Sequence, residues 1–311
     1  MDSGESAGSL AGYSRANVAP SIRIDGGPEL SASATVRPVR RIRPPSFSVN
    51  TVVSGLVTLA RHKDLLWTLT LFRFNVRYKQ SMLGWIWAAL QPLSLMAIYT
   101  LVFSRVAKVP SEGVPYPVFV YTALLPWIFF SNAILSAMRG LVSYPTLLTT
   151  MYFPREIIPL SYVAVALIDF GTAFAILAGM TAYYGMSLRW NILYAVPIIA
   201  VLSAFTTAIS LFLSAVQVRF RDVGLAAPLI FQIGMFATPI VYPLAAVPAR
   251  FQRIYLLNPV ASLINAFREL VLHGAPPDTA QLGASAVITL FCLILAYGYF
   301  KSVEATMADV I

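Results

Sequence analysis

The residues that could carry chemistry in this sequence are few and widely spaced. There are two histidines, His62 and His273, and one cysteine, Cys292, which lies within an apolar run. A single thiol in such a run supports neither a disulfide framework nor a thiolate metal site. The sequence contains no GxxxxGK[ST] phosphate loop, no HExxH metal motif and no nucleophile elbow. We therefore predict that the chain is not an enzyme and binds no cofactor or metal itself, so that any work against a gradient would need an outside energy source.

Composition indicates where such a chain works. The 311 residues are 58% hydrophobic and only 11% charged, with a mean hydropathy of +0.73. A soluble domain carries about 25% charged residues, which excludes a soluble enzyme, a disordered scaffold and a free nucleic-acid binder. The net charge of +9 comes from Lys and Arg scattered between apolar runs, as in membrane topology signals. We predict an all-α, polytopic membrane protein.

Uncharged runs long enough to cross a bilayer, which takes about 20 apolar residues, define the predicted spans. Six are expected, at about 82–104, 116–138, 160–184, 192–216, 225–243 and 281–300. The shorter run Ile254–Phe267 lies beside Pro248 and Pro259. We expect this run to form short re-entrant helices before the last span.

The segment before the first span has two parts. Residues 1–55 lack sustained periodicity and include a basic stretch, so we expect a disordered basic cytoplasmic tail. Residues 56–80 open the transmembrane domain, 56–311, with an amphipathic helix. Its apolar residues recur at helical spacing between basic ones: Leu65, Leu66, Leu69, Phe72 and Val76. Such a helix suits the membrane interface, with its basic face at the lipid headgroups.

The distribution of basic residues predicts the orientation. An even number of spans puts both termini on one side of the membrane. With that side cytoplasmic, sixteen Lys and Arg lie inside and six outside. The positive-inside rule therefore places both termini in the cytoplasm.

Two polar residues fall within the predicted spans. Asp169 is the only acidic residue in the run 157–188, and ionisable groups at such depth face protein or water rather than lipid. We expect a structural partner, such as Arg73 or Arg77 of the amphipathic helix, rather than a substrate contact. Gln91, before the helix-bending Pro92, offers a second intramembrane hydrogen-bonding group.

Several short motifs occur in a fixed order. They are RYKQSMLGWIW at 77–87, LQPL at 90–93, LLPW at 124–127, FFS at 129–131, YFPREI at 152–157, DF at 169–170, RFRD at 219–222, TPIVYP at 238–243 and NP at 258–259, followed by Arg268. Together they resemble the permeases of type-2 ABC exporters, in the branch that exports O-antigen, capsular and teichoic polysaccharides. The resemblance covers about residues 56–300.

The resemblance implies partners and a location. The chain is expected to form a homodimer in the bacterial inner membrane and to recruit two ABC ATP-binding subunits, which use ATP and Mg²⁺. Its substrate is expected to be a lipid-linked polysaccharide such as O-antigen or a capsular or teichoic polymer, and nucleic acid is not expected to bind. The other implied partners are membrane lipids.

The same resemblance implies that the loop between spans two and three docks on the ATP-binding subunit. Here that loop carries Tyr152, Phe153, Pro154, Arg155 and Glu156. Proline fixes the chain direction and the aromatic rings offer rigid anchors. A plain helix-start loop remains the alternative. Arg221 and Asp222 are candidates for a second contact, or for a stop signal with a local ion pair.

Aromatic residues make up 13% of the chain, and their faces suit the apolar faces of sugar rings. Five on spans one and two are candidates for a substrate path, with packing and lipid contact as alternatives: Tyr99, Tyr121, Trp127, Phe129 and Phe130. Three other functions stay open, namely export of a small lipid or drug, an enzyme acting on polyprenyl lipids, and a passive channel.

Overall fold

A computed structural model describes residues 61–79, 84–143, 154–186 and 190–310. Within those ranges the chain forms nine α-helices and no strand, which confirms the all-α prediction. The helices are α1 Lys63–Lys79, α2 Ile86–Tyr99, α3 Tyr116–Val142, α4 Ile157–Tyr183, α5 Ala195–Arg219, α6 Val223–Ala237, α7 Ala249–Leu257, α8 Pro259–His273 and α9 Thr279–Val310. The predicted tail, residues 1–55, lies outside the described residues.

Five helical segments are long and apolar enough to cross a membrane. They are Ile86–Val106, Tyr116–Val142, Ile157–Tyr183, Trp190–Arg219 and Thr279–Glu304. The first continues α2 through a π-helical stretch, Thr100–Val106, and the fourth begins with a 3₁₀ turn, Trp190–Tyr194. These segments coincide with predicted spans one to four and six, and the chain is a multi-pass membrane protein.

The fifth predicted span, 225–243, is shorter in the structure. Helix α6 has 15 residues and ends at Ala237, which gives a length of about 22 Å against a hydrocarbon thickness of about 30 Å. Pro239 explains the early end. A proline disfavours helical geometry in the residue before it, and Thr238 is extended, with φ −103° and ψ 142°. The predicted bound at 243 is therefore wrong.

Helix α3 occupies the centre of the bundle. It contacts α2, α4, α5, α6 and α8, and residues such as Phe119, Tyr121 and Leu124 are fully buried. A helix that is apolar on all sides is stable when other helices surround it. The remaining spans expose apolar side chains on their outer faces, as lipid-facing helices do.

Helix α1 packs on α4 with its polar side. Thr70, Arg73 and Tyr78 are buried, whereas the apolar Phe72 and Val76 are more than half exposed. The exposed apolar side suits a membrane interface. The prediction that the basic face lies at the headgroups is wrong for Arg73, because this residue faces the helical bundle.

The run Ile254–Phe267 belongs to two short helices, α7 and α8. They meet at Asn258, whose side-chain oxygen accepts a hydrogen bond from the Val260 N–H at 3.1 Å and caps α8. Pro259 takes the first helical position, and Gly274, in the left-handed conformation with φ 65°, ends the helix. The two helices precede the last span as expected, and their re-entrant placement stays a prediction.

Candidate functional site

The start of α4 is joined to the last span by a buried carboxylate. Glu156 directly precedes α4, and its side chain is 1% exposed. The Tyr297 hydroxyl donates to one of its carboxylate oxygens at 3.1 Å, and the Lys301 ammonium donates to the other at 2.9 Å. Tyr297 and Lys301 lie four residues apart on α9, so one face of that helix supplies both donors.

The residue before Glu156 is held by the same face. The Arg155 backbone N–H donates to the Glu304 carboxylate at 3.3 Å, and the Arg155 guanidinium donates to the Glu304 carbonyl oxygen. Glu304 also accepts from Lys301 at 2.8 Å. We call Arg155, Glu156, Tyr297, Lys301 and Glu304 the α4–α9 cluster.

The surroundings of the α4–α9 cluster are apolar. Ile158, Val218 and Phe300 belong to one packed group beside it. The cluster holds two acidic and two basic side chains, so its formal charge is zero. A buried carboxylate is tolerated when it is paired and hydrogen-bonded, and the two α9 donors supply both conditions. The cluster therefore makes a specific junction between the predicted coupling loop and the last span.

The predicted coupling residues divide into four groups. Tyr152 and Phe153 lie outside the described residues. Pro154 and Arg155 are half-buried, whereas Glu156 faces α9 rather than an open surface. Arg221 and Asp222 are exposed and lie near the same end of the bundle, because Val218 packs in the same group as Ile158. The structure shows no salt bridge between Arg221 and Asp222, so the local ion pair considered above is not formed.

A second polar junction joins α1 to the middle of α4. Asp169 accepts from the Arg77 guanidinium at 2.8 Å and from the Tyr78 hydroxyl at 2.8 Å. Burial, and then the neighbouring Asp169 carboxylate, raise the pKa of Tyr78, so its hydroxyl keeps the proton that it donates. Arg77 was one of the two partners expected for Asp169, and the structure contains this pair.

The other expected partner, Arg73, contacts a different residue of α4. Its guanidinium lies over the Tyr162 ring, 3.8 Å from the centroid, a cation–π arrangement. The hydroxyl-bearing edge of the Tyr162 ring packs on Gly140 of α3, where a β-carbon would overlap the ring. Gly140, Tyr162 and Arg73 thus connect α3, α4 and α1 in one line of contacts.

Gln91 takes part in a polar cavity between α2, α3 and α4. Its side-chain oxygen accepts from the Asn132 amide at 3.4 Å. Arg77 and Asp169 line the same cavity of about 30 Å³, which has room for water. The predicted intramembrane polar residues, Gln91 and Asp169, are therefore brought together.

Four of the five candidate path aromatics are packing residues in this arrangement. Tyr121, Trp127, Phe129 and Phe130 are at most 6% exposed. The Phe130 ring stacks on Phe205 with centroids 6.0 Å apart, and the Tyr121 hydroxyl donates to the Ala173 carbonyl at 3.2 Å. Neighbouring helices cover the faces of these four rings in this arrangement, and their place in a substrate path stays a prediction. Tyr99 is half-buried and contacts the Met235 sulfur at 3.6 Å.

Arg268 of α8 is the largest fully buried side chain among the described residues and is 1% exposed. It donates to the Ile240 carbonyl at 3.0 Å, to the Tyr242 carbonyl at 3.4 Å and to the Pro239 carbonyl. Burial lowers its pKa to about 10, which leaves it charged at neutral pH. Three acceptors of the non-helical segment after α6 thus converge on one guanidinium.

The sequence matches the model of the ABC-2 type transporter over residues 64–272. The chain belongs to this family. The match takes in α1 to α8 with both Asp169 and Arg268, whereas α9 lies beyond it. The matched part of this ABC-2 type transporter therefore contains Arg155 and Glu156 but not their partners Tyr297, Lys301 and Glu304.

Curated relatives agree with the family. The O-antigen export system permease protein RfbA of Myxococcus xanthus is 30% identical over 166 residues, which is 53% of this chain and 63% of the relative. Two proteins of the same name from Klebsiella pneumoniae are 31% and 33% identical over 161 and 163 residues, each 51% of this chain. The alignments span 61–63% of the length of these relatives.

The sequence predictions missed several residues that this ABC-2 type transporter uses as internal partners. Lys301 is one of the sixteen basic residues on the predicted cytoplasmic side, and Tyr297 belongs to none of the motifs. No spacing rule links these residues to Glu156, which is 145 and 141 positions away. Arg268 is one of the six basic residues predicted to lie outside. A signal was present there, because Arg268 follows the buried Ile264 by four positions, one helical repeat along α8.

Proposed function

We propose that this chain is the permease subunit of an ATP-driven exporter that moves a lipid-linked polysaccharide across the bacterial inner membrane. The observation that carries the proposal is the similarity to O-antigen export permeases, at 30–33% identity over about half of the chain. O-antigen is the substrate class that these names favour. Capsular and teichoic polymers are chemically related cargoes. In this role the subunit moves its substrate without converting it.

ATP and Mg²⁺ are bound by a separate subunit in this proposal. The absence of a GxxxxGK[ST] sequence from the chain supports this division of labour. The docking surface for that subunit consists of the loop from Tyr152 to Arg155 together with the exposed Arg221 and Asp222. Arg155, Arg221 and Asp222 lie at the polar end of the bundle near Glu156, and the excess of basic residues favours a cytoplasmic position for that end.

The substrate path runs between two copies of the chain. The cavity beside Gln91 measures about 30 Å³, and another, lined by Arg73 and Tyr162, about 250 Å³. Even a drug-sized ligand takes a pocket of about 300–1,000 Å³, so neither cavity admits a sugar polymer. Only 6% of the residues in the most apolar stretch of the span Ile86–Val106 are buried, which leaves this span open to a second copy or to lipid.

ATP binding then drives export through the loop. Closure of the two ATP-binding subunits displaces the docking loops of both copies, and each loop leads directly into α4. The displacement of α4 opens the path between the copies, and the polymer passes outward. Both termini remain cytoplasmic throughout the cycle.

Deletion and complementation in the native host test the function. Loss of the gene should remove the polysaccharide from the cell surface and leave its lipid-linked form inside, and the wild-type chain should restore export. Normal surface polysaccharide with increased sensitivity to an amphipathic drug would instead support small-molecule export. Purified chain should recover the ATP-binding subunit at one-to-one stoichiometry, and robust ATP hydrolysis by the chain alone would contradict the proposal.

A matched pair of variants tests the docking surface. Arg221→Ala should weaken recovery of the ATP-binding subunit and lower export, because an exposed cation at the interface is lost. Arg250→Ala removes another exposed arginine, on α7, and should leave recovery unchanged. Equal recovery of the ATP-binding subunit by the two variants would show that Arg221 is not part of the docking surface.

A further inference from the structure

The α4–α9 cluster places the predicted docking loop and the last span in one connected unit. Five residues take part, and two of them, Arg155 and Glu156, are consecutive residues at the end of the loop. Their partners occupy positions 297, 301 and 304, which recur at helical spacing on one face of α9. A displacement of this loop end must either carry that face of α9 with it or break several bonds at once.

Breaking the bonds to Glu156 is unfavourable because water has little access to its carboxylate. The Glu156 side chain is 1% exposed and that of Lys301 is 16% exposed. A carboxylate left alone in such surroundings keeps the penalty of burial without its compensation. The contact between α4 and α9 therefore favours joint movement over separation.

The alternative connections to α9 are less specific. Helix α5 packs extensively on α9, and Phe212 and Tyr299 form an apolar contact between them, with ring centroids 5.3 Å apart. Apolar contacts have no fixed direction, so they specify the relative position of two helices less sharply than hydrogen bonds do. The bonds of Glu156 are directed and join particular atoms of α4 and α9.

We propose that Glu156 and Lys301 are positioning residues that transmit the ATP-driven displacement of the docking loop to the last span. The inference rests on the proposed function, since it assumes an ATP-binding partner on that loop. Neither residue contacts substrate in this role. They determine whether a displacement of the docking loop also displaces α9.

The test uses the chain in complex with the ATP-binding subunit that copurifies with it, in lipid nanodiscs. Cys292→Ala removes the native thiol, and Ser302→Cys introduces one at an exposed position of α9. The rate of maleimide labelling at this thiol is measured with and without ATP and Mg²⁺. The readout follows movement of α9 and requires no knowledge of the cargo.

In the parent protein ATP should change the labelling rate. Glu156→Gln and Lys301→Met should each reduce that ATP effect at least about fivefold, the lower end of couplings between linked sites, while ATP hydrolysis continues. Lys301→Arg keeps the charge and should retain most of the effect. Glu269→Gln breaks an exposed ion pair with His273 on α8 and should leave the effect unchanged.

The outcomes separate this inference from the proposed function. An ATP effect of unchanged size in Glu156→Gln and Lys301→Met would overturn the inference alone. Absence of any ATP effect in the parent complex, or failure to recover an ATP-binding subunit, would count against the proposed function and the inference together. If Glu156→Gln does not fold, Tyr297→Phe removes one bond of the cluster and should give a smaller reduction of the same kind.

Discussion

The Arg77 guanidinium donates to the Asp169 carboxylate at 2.8 Å and so joins the helix before the first span to the middle of the third. The Tyr78 hydroxyl donates to the second oxygen of the same carboxylate at the same distance. Two consecutive residues of α1 thus share one acceptor. The angle between α1 and α4 is determined by directed bonds as well as by packing.

Substitution of Asp169 should weaken the contact between α1 and α4. Asp169→Asn removes the negative charge but keeps an acceptor for Tyr78. Because Arg77 is 40% exposed, the free energy of unfolding should fall by only about 1 kcal/mol. Thermal unfolding in detergent measures the change. Asp64→Asn, at an exposed position of α1, is the control. An equal loss of stability in Asp169→Asn and Asp64→Asn would show that the Arg77–Asp169 pair has no specific role.

Arg268 should tolerate no replacement. Arg268→Met leaves three carbonyl groups without their donor and should lower the free energy of unfolding by about 3 kcal/mol or more. Arg268→Lys keeps the charge but cannot reach several acceptors with a planar fork, so most of the loss should remain. The control Arg250→Met should change stability by less than about 0.5 kcal/mol. Full stability of Arg268→Lys would show that charge alone suffices.

Even a methyl group at position 140 should destabilise the protein. Gly140→Ala places a β-carbon in the Tyr162 ring, and such overpacking typically costs about 1–3 kcal/mol. Gly179→Ala on α4 meets nothing within 4 Å and should stabilise the helix by about 0.5–1 kcal/mol. Tyr162→Ala should relieve the clash at Gly140 in the double variant. In thermal unfolding experiments, Gly140→Ala should lower the stability and Gly179→Ala should raise it.

The orientation of the chain can be tested with reporters. Sixteen basic residues against six predict that both termini are cytoplasmic. A fluorescent protein that folds only in the cytoplasm should be bright at either end, and an alkaline phosphatase fusion should be inactive at both. Phosphatase activity at either terminus would contradict the predicted topology.

The long spans were predictable because each is an uncharged run of sufficient length. The predicted spans 116–138 and 160–184 agree with α3 and α4 to within a few residues. The end of α6 was missed because the sequence stays apolar beyond Thr238, whereas the helical backbone conformation stops before it. Pro239 interrupts the helix without adding charge or polarity.

The central position of α3 was not predictable from hydropathy. Trp127 and Phe130 read equally well as lipid-facing, path-lining or packed residues, and only the neighbouring helices decide among these. The Arg77–Asp169 pair was foreseeable, because a carboxylate within a span requires a partner and few cations lie near it. The pairing of Glu156 with Lys301 was not, because charges at both helix ends are ordinary and neither residue stands out alone.

The length of α9 has a consequence for the surrounding lipid. Its uncharged part, 279–300, is about 33 Å long at 1.5 Å per residue, close to the hydrocarbon thickness of a bilayer. Lys301 and Glu304 follow immediately, and charges resist entry into hydrocarbon. They therefore anchor the depth of the helix at that end. A thinner bilayer would force α9 to tilt about this anchor. Hydrophobic mismatch would therefore strain the hydrogen bonds that join α9 to Glu156.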